Sequence, residues 1–185
     1  ALGFDVFNPA EVVPEYVADV GVKKGEKVDY CIFRDGEPII LVECKHWKQK
    51  LANHNEQLHR YFHVTRTRFA ILTNGIEYRF YSDLDAPNVM DTQPFLEFSV
   101  THLKDSVLHE LKKFQKDHFD VDKILLTAND LRLTGQVREH LRAELEDPSD
   151  DFIRYLAGQV FDGRLTAKVV EQFRGIVKLS ARSLL

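Results

Sequence analysis

The sequence Pro-Ile-Ile-Leu-Val-Glu-Cys-Lys, residues 38–45, is the stretch on which the predicted fold depends. Four consecutive aliphatic residues follow the proline, and three of them are β-branched, which predicts a strand buried on both faces. Because side chains alternate along a strand, we expect Glu43 and Lys45 on one face and Cys44 on the other. Two opposite charges at the end of a buried strand either emerge as a surface pair or bind a ligand.

The preceding residues predict an antiparallel partner for this strand. Residues 28–33 have a strand pattern, and residues 34–38, Arg-Asp-Gly-Glu-Pro, predict the turn. A two-residue loop alone would place Asp29 and Glu43 on opposite faces, whereas an odd-length loop or a bulge places them opposite each other on one face. We favour the second register, with Pro38 in the loop or at its edge because proline has no N–H to donate.

The rest of the first hundred residues continues an α/β pattern. Asn53 and Glu56 have the spacing of a capping box, so a helix is expected from residue 53 to about 64. Residues 68–73 and 77–81 predict two more strands, joined by a hairpin turn at Asn74-Gly75 and followed by a loop. The expected fold of residues 1–100 is therefore an α/β domain with a mixed sheet flanked by helices.

From about residue 101 the apolar residues recur at helical spacing. Ser149 is a candidate N-cap after Asp147-Pro148, and residues 166–183 predict a last amphipathic helix. We expect residues 101–185 to form a helical extension that packs on the core or links from it and does not contribute to the chemistry.

Composition excludes several classes of protein. No apolar run approaches the length of a membrane span, and no signal peptide opens the sequence, so a cytoplasmic location without membrane contact is expected. Cys31 and Cys44 lie in predicted strands and are expected to be buried free thiols. Because the sequence opens with Ala1 and not with methionine, we also expect an upstream segment.

Charge is unevenly distributed along the sequence. Residues 21–79 contain eleven Lys or Arg and seven Asp or Glu, although the whole chain has a formal net charge of -4. A positive segment in an acidic protein suits a local phosphate contact. In that segment Asp29, Glu43 and Lys45 together offer hard oxygen ligands for a divalent cation and an ammonium beside them. Such a set suits hydrolysis of a phosphodiester.

The order of these residues resembles the PD-(D/E)xK nuclease superfamily. Asp29 is followed after thirteen residues by Glu43-Cys44-Lys45, and then by Gln57-x-x-x-Tyr61 on the next helix. The motif spans residues 29–61. The broader sequence is similar to the N-terminal nuclease domain of type I restriction enzyme R subunits, to about residue 100. The resemblance implies a restriction-endonuclease-like fold and Mg²⁺-dependent cleavage of DNA, with Mn²⁺ as a substitute.

The resemblance also implies roles for single residues. Asp29 and Glu43 would bind the metal together with the backbone carbonyl of Cys44, and Lys45 would be the catalytic lysine. Gln57 and Tyr61 would position DNA or the active-site residues.

Two features of the sequence depart from this family. Val28 stands where the motif has proline. The family's acidic residue on a preceding helix would lie before Ala1, or Glu15 takes its role.

The implied partners are DNA, a helicase or translocase domain, and methylation and specificity subunits.

Other interpretations remain open at this point. The chain could be a nuclease fold that binds DNA or regulates without cutting, or an interaction protein whose helical extension docks a partner. Gln57 and Tyr61 could be packing residues of a helix. Trp47 could stack on a base or be a buried anchor below the site.

Overall fold

The structure is a computed structural model and describes residues 2–17, 27–51 and 56–184. Within these residues six strands form one sheet in chain order. The strands are β1 (Val12–Tyr16), β2 (Val28–Arg34), β3 (Glu37–Cys44), β4 (Phe69–Thr73), β5 (Glu77–Ser82) and β6 (Leu96–Ser99). β3 and β4 are parallel and all other neighbours are antiparallel, so the sheet is mixed. The predicted α/β fold is confirmed.

Helix α1 (Glu56–Val64) lies in the connection between the two parallel strands. A parallel pair needs such a crossover because the chain must return to the same end of the sheet. The predicted cap at Asn53 lies outside the described residues. Leu58, Tyr61 and Phe62 of α1 pack in one buried cluster with side chains from one face of the sheet.

The central strand β3 is buried on both faces, as predicted. Leu41 belongs to the cluster that α1 covers, and Ile40 belongs to the cluster on the other face. That second cluster is rich in aromatic rings, and Phe114 and Phe119 pack there on Phe69. The two clusters hold β3 in the middle of the sheet, so that its carboxyl end is fixed in position.

The β2–β3 hairpin has the register that places Asp29 opposite Glu43. Asp35 and Gly36 both have positive φ, 53° and 82°, which is the conformation of a type I′ turn. The pairing then shifts between Ile32 and Phe33, so that Ile39 is the extra residue of a bulge. Beyond the bulge Tyr30 pairs with Val42, and the next residues in this register are Asp29 and Glu43.

The position of Pro38 differs from the prediction. It lies inside β3 and pairs with Phe33, so the strand begins at Glu37. A proline is tolerated there because β4 pairs with β3 only from Ile40 onward, which leaves one side of Pro38 without a ladder partner.

The two edge strands were not predicted from the sequence. β1 contains Pro14 and, at Glu15, a residue with a positive φ of 49°, both of which weaken a strand pattern. β6 has four residues and follows an irregular segment. Both strands form because an inner strand offers them unpaired backbone groups.

After β6 the described chain is helical, as predicted. A 3-10 turn spans Val100–His102, and the helices that follow are α2 (Asp105–Lys112), α3 (Val121–Glu146), α4 (Asp150–Val160) and α5 (Ala167–Leu184). None of the helices in the described part of the chain has the length and apolar composition that crossing a membrane requires.

The chain divides into two compact units, one up to Arg132 and one from Leu133 onward. Helical structure thus begins near residue 101, whereas the division between the units falls within α3. In the second unit Ile153, Val170 and Val177 form a small core. Ser149 caps α4 as predicted, since its side chain accepts a hydrogen bond from the backbone N–H of Phe152.

Candidate active site

The carboxyl end of β3 brings together the three charged residues of the sequence motif. Lys45 Nζ lies 2.6 Å from Glu43 Oε1, and Glu43 is only 4% exposed. Asp29 Oδ2 accepts a hydrogen bond of 2.6 Å from the backbone N–H of Cys44. Asp29 and Glu43 are therefore neighbours across the hairpin, with Lys45 beside them.

The surroundings of Glu43 change the pKa of its carboxyl group. Burial raises its pKa above the ordinary value, and the negative charge of Asp29 raises it further, while the hydrogen bond from Lys45 acts in the opposite direction. Repulsion between two neighbouring carboxylates acts in the same direction as burial, but burial is the larger cause of the raised pKa of Glu43. Among the described residues, Glu43 Oε2 is buried and has no hydrogen-bond partner. A buried oxygen of this kind is costly unless a cation or donor meets it.

The thiol of Cys44 is exposed, and the prediction of a buried thiol is wrong there. Cys44 is the last residue of β3, where neither buried cluster covers its side chain. Cys31 is buried as predicted, and burial raises the pKa of its thiol to about 12. At Cys44 the backbone N–H holds Asp29, and the proposed role of its carbonyl stays a prediction.

Gln57 and Tyr61 extend from α1 towards different parts of the site. Gln57 Nε2 donates a hydrogen bond of 2.5 Å to the carbonyl of Lys27, two residues before Asp29. Tyr61 is 0% exposed and packs in the cluster between α1 and the sheet. Gln57 thus holds the backbone just before β2, and Tyr61 packs between α1 and the sheet. A direct contact of Tyr61 with DNA does not fit its burial. The packing role that the sequence left open does fit, and a role in positioning the site stays a prediction.

Glu15 lies in the position of β1 that faces Asp29, between the pairs Pro14–Tyr30 and Tyr16–Val28. Its side chain is exposed and its carboxylate lies 2.7 Å from Lys27 Nζ. The hydrogen bond from Lys27 lowers the pKa of Glu15. In the segments 2–17, 27–51 and 56–184, no group of three or more His, Cys, Asp or Glu side chains is arranged to hold a metal ion. Glu15 therefore does not complete a three-carboxylate set in this structure.

Asn74 is a site residue that the sequence analysis missed. It is 8% exposed, and its Nδ2 donates to the carbonyl of Gln49 at 2.9 Å and to that of Trp47 at 3.4 Å. Its Oδ1 accepts from the backbone N–H groups of Ile76 and Glu77 at 3.0 and 2.8 Å. The same residue therefore closes the β4–β5 turn and holds the loop that follows Lys45. The Asn-Gly pair indicated the turn, but nothing local in the sequence indicated the bonds to the loop.

Comparison with known proteins gives a partial identification. No curated protein and no solved structure matches the chain. Residues 6–89 match the model of a protein family, and this segment contains Asp29, Glu43, Lys45, Gln57 and Tyr61. The family is described as the type I restriction enzyme R protein N terminus, and the predicted resemblance to type I restriction R subunits is thereby confirmed over residues 6–89.

Proposed function

We propose that this chain is a Mg²⁺-dependent endonuclease that hydrolyses phosphodiester bonds in DNA, as the nuclease domain of a type I restriction R subunit. The observation that carries the proposal is the buried carboxylate of Glu43, with Asp29 opposite and Lys45 at 2.6 Å. These residues lie in the segment that matches the restriction family. DNA is the substrate, and the proposed partners are a helicase or translocase domain and the methylation and specificity subunits.

The donor set fits a hard divalent cation. Asp29 and Glu43 offer carboxylate oxygens, one of which, Glu43 Oε2, has no other partner among the described residues. The carbonyl of Cys44 would add a third oxygen, and Mg²⁺ accepts few protein ligands because it keeps several waters. When bound, the cation supplies positive charge to the phosphodiester oxygens and lowers the pKa of a water molecule.

The remaining chemistry belongs to side chains of this protein. Lys45 holds a positive charge at the carboxylate of Glu43, where it can orient the attacking water and stabilise the charge that develops on the phosphate. Gln57 holds the backbone at Lys27 and so maintains the position of Asp29 at the start of β2. Tyr61 and the rest of the α1 cluster keep that face of the sheet packed.

The test is nicking of plasmid DNA in Mg²⁺ or Mn²⁺, with an EDTA control. Asp29→Ala and Glu43→Ala are expected to abolish cleavage, and Lys45→Ala to lower the rate by about 10²-fold, which is typical for loss of one charge-stabilising group. Glu139→Ala is a matched control, because this carboxylate is exposed and lies in the second unit. Equal nicking by all four variants would contradict the assignment.

A second measurement separates this proposal from its alternative, a nuclease fold that binds DNA or regulates without cutting. The observation that favours the alternative is that the carboxylate of Glu15, the further acid that the resemblance allows, pairs with Lys27 at 2.7 Å. Calorimetric titration of Mn²⁺ is expected to give saturable binding that Asp29→Ala and Glu43→Ala remove and Lys45→Ala largely keeps. No saturable binding, or binding unchanged in the two carboxylate variants, would favour the alternative.

A further inference from the structure

The loop of residues 46–51, here called the Trp47 loop, follows Lys45 directly. The loop itself contains Lys48, Lys50 and His46 and no acidic residue, and Lys45 directly before it adds a third lysine. It leaves the sheet at the end of β3, where Glu43 and Lys45 meet. The loop thus adds positive charge and one large aromatic ring at the edge of the candidate active site.

Several contacts hold the Trp47 loop in one conformation. The backbone N–H of Gln49 donates to the carbonyl of His46 at 2.8 Å, and the side chain of Gln49 accepts from the backbone N–H of His46 at 3.2 Å. Asn74 binds the loop carbonyls from the β4–β5 turn. At the end of the loop, Leu51 is buried in the α1 cluster. These hydrogen bonds and the burial of Leu51 therefore hold the loop against the β4–β5 turn and the α1 cluster.

The ring of Trp47 is nevertheless directed outward. Trp47 is 58% exposed, which excludes the buried anchor that the sequence left open. Lys48 Nζ lies 5.0 Å from the centre of the indole ring, and the His46 ring lies 5.9 Å away at a tilt of 34°. Proteins that hold single-stranded nucleic acid combine these two elements, an aromatic ring on which a base stacks and cations along the backbone.

We infer that Trp47 stacks on an unpaired base of a DNA strand at the candidate active site, and that Lys48 contacts a phosphate beside that base. The inference rests on the proposed function in naming DNA as the ligand. It goes further in naming the form of DNA. A base inside an intact duplex has both faces covered by its neighbours, so Trp47 selects a strand that is single, frayed or opened. Such a strand would reach Trp47 while its backbone runs past Lys45, two residues earlier in the chain.

The experiment uses Trp47 as its own probe, because the chain contains one tryptophan. The full chain in EDTA, where no cleavage occurs, is titrated with an unstructured oligothymidine and, separately, with a blunt hairpin duplex. We expect saturable quenching of the tryptophan emission by the single strand and little by the duplex. Anisotropy of a fluorescein-labelled oligonucleotide gives the affinity of variants that lack the tryptophan.

Three variants test the contact itself. Trp47→Ala is expected to weaken single-strand binding about 10-fold, and Trp47→Phe to restore most of it, since a base stacks on either ring. Lys48→Ala is expected to lower the slope of log affinity against log salt by about one unit. Tyr155→Ala is the matched control, an exposed aromatic residue of the second unit, and is expected to bind like the wild type.

The outcome is independent of whether the chain cuts DNA. Glu43→Ala is expected to lose cleavage and keep the quenching, and quenching by a protein that does not cleave would support the inference while the nuclease proposal fails. Absence of quenching, equal quenching by the blunt duplex, or unchanged affinity of Trp47→Ala would overturn the inference, even if plasmid cleavage is observed.

Discussion

Replacing Asn74 tests whether one side chain joins the β4–β5 turn to the Trp47 loop. Its Oδ1 accepts two backbone N–H groups at 3.0 and 2.8 Å, and its Nδ2 donates to Gln49 at 2.9 Å. The contact with the Trp47 carbonyl, at 3.4 Å, is too long to add much. With about 1 kcal/mol for each of the well-formed bonds, Asn74→Ala should lower the free energy of unfolding by about 3 kcal/mol.

Asn74→Asp separates the contribution of the side-chain oxygen, which binds the turn, from that of the amide N–H group, which binds the loop. The aspartate keeps an oxygen for the turn N–H groups but turns the donor into an acceptor that faces the Gln49 carbonyl. It should therefore lose about 1–2 kcal/mol, less than the alanine variant. Asn129→Ala is the control, because among the described residues its side-chain oxygen accepts a single bond, from Arg132, that is long at 3.4 Å. A change within about 0.5 kcal/mol is expected.

The assay is thermal unfolding followed by circular dichroism and by the emission of the only tryptophan. For a unit of this size, 3 kcal/mol corresponds to a decrease in Tm of about 10 °C. A decrease below about 3 °C for Asn74→Ala would refute the assignment of three effective bonds. If Asn74→Asp were as stable as the wild type, the link from the turn to the loop would be wrong, even with a destabilised alanine variant.

Two further predictions concern the site carboxylate and the aromatic core. Since burial raises the pKa of Glu43 in the folded state, its ionised form costs stability. This cost is absent below the unfolded pKa, grows as pH rises from the unfolded to the folded pKa, and is complete above the folded pKa. In EDTA, Glu43→Gln should raise Tm at pH 7.5 and lose this advantage at pH 4; an equal shift at both values would contradict the reasoning. Phe114 is buried with its ring centre 5.1 Å from that of Phe80 and 5.5 Å from that of Phe69. Phe114→Ala should cost about 3–5 kcal/mol in urea unfolding, against little change for the exposed Leu126→Ala, and a loss below about 1 kcal/mol would show that the ring is not part of the core.

Local patterns were enough to predict the centre of the sheet. The aliphatic run before Glu43 predicted a strand buried on both faces, because burial on two sides removes the usual alternation of polar residues. The requirement that Asp29 and Glu43 share a face predicted the bulged register of the hairpin. The broader sequence carried the resemblance to type I restriction R subunits, which the match over residues 6–89 confirms. The PD-(D/E)xK spacing that continues to Gln57 and Tyr61 stays a prediction.

The sequence by itself therefore determined the central strands, their register and the identity of the charged residues at the end of β3. Only the tertiary structure decided the edge strands β1 and β6, the burial of Glu43, the exposure of Trp47 and the bonds from Asn74 to the Trp47 loop. The physical reason is the separation along the sequence of the residues that interact. Strand and turn patterns arise from neighbouring residues, whereas these features depend on backbone groups and side chains that folding brings together from distant positions, such as Asn74 and Gln49.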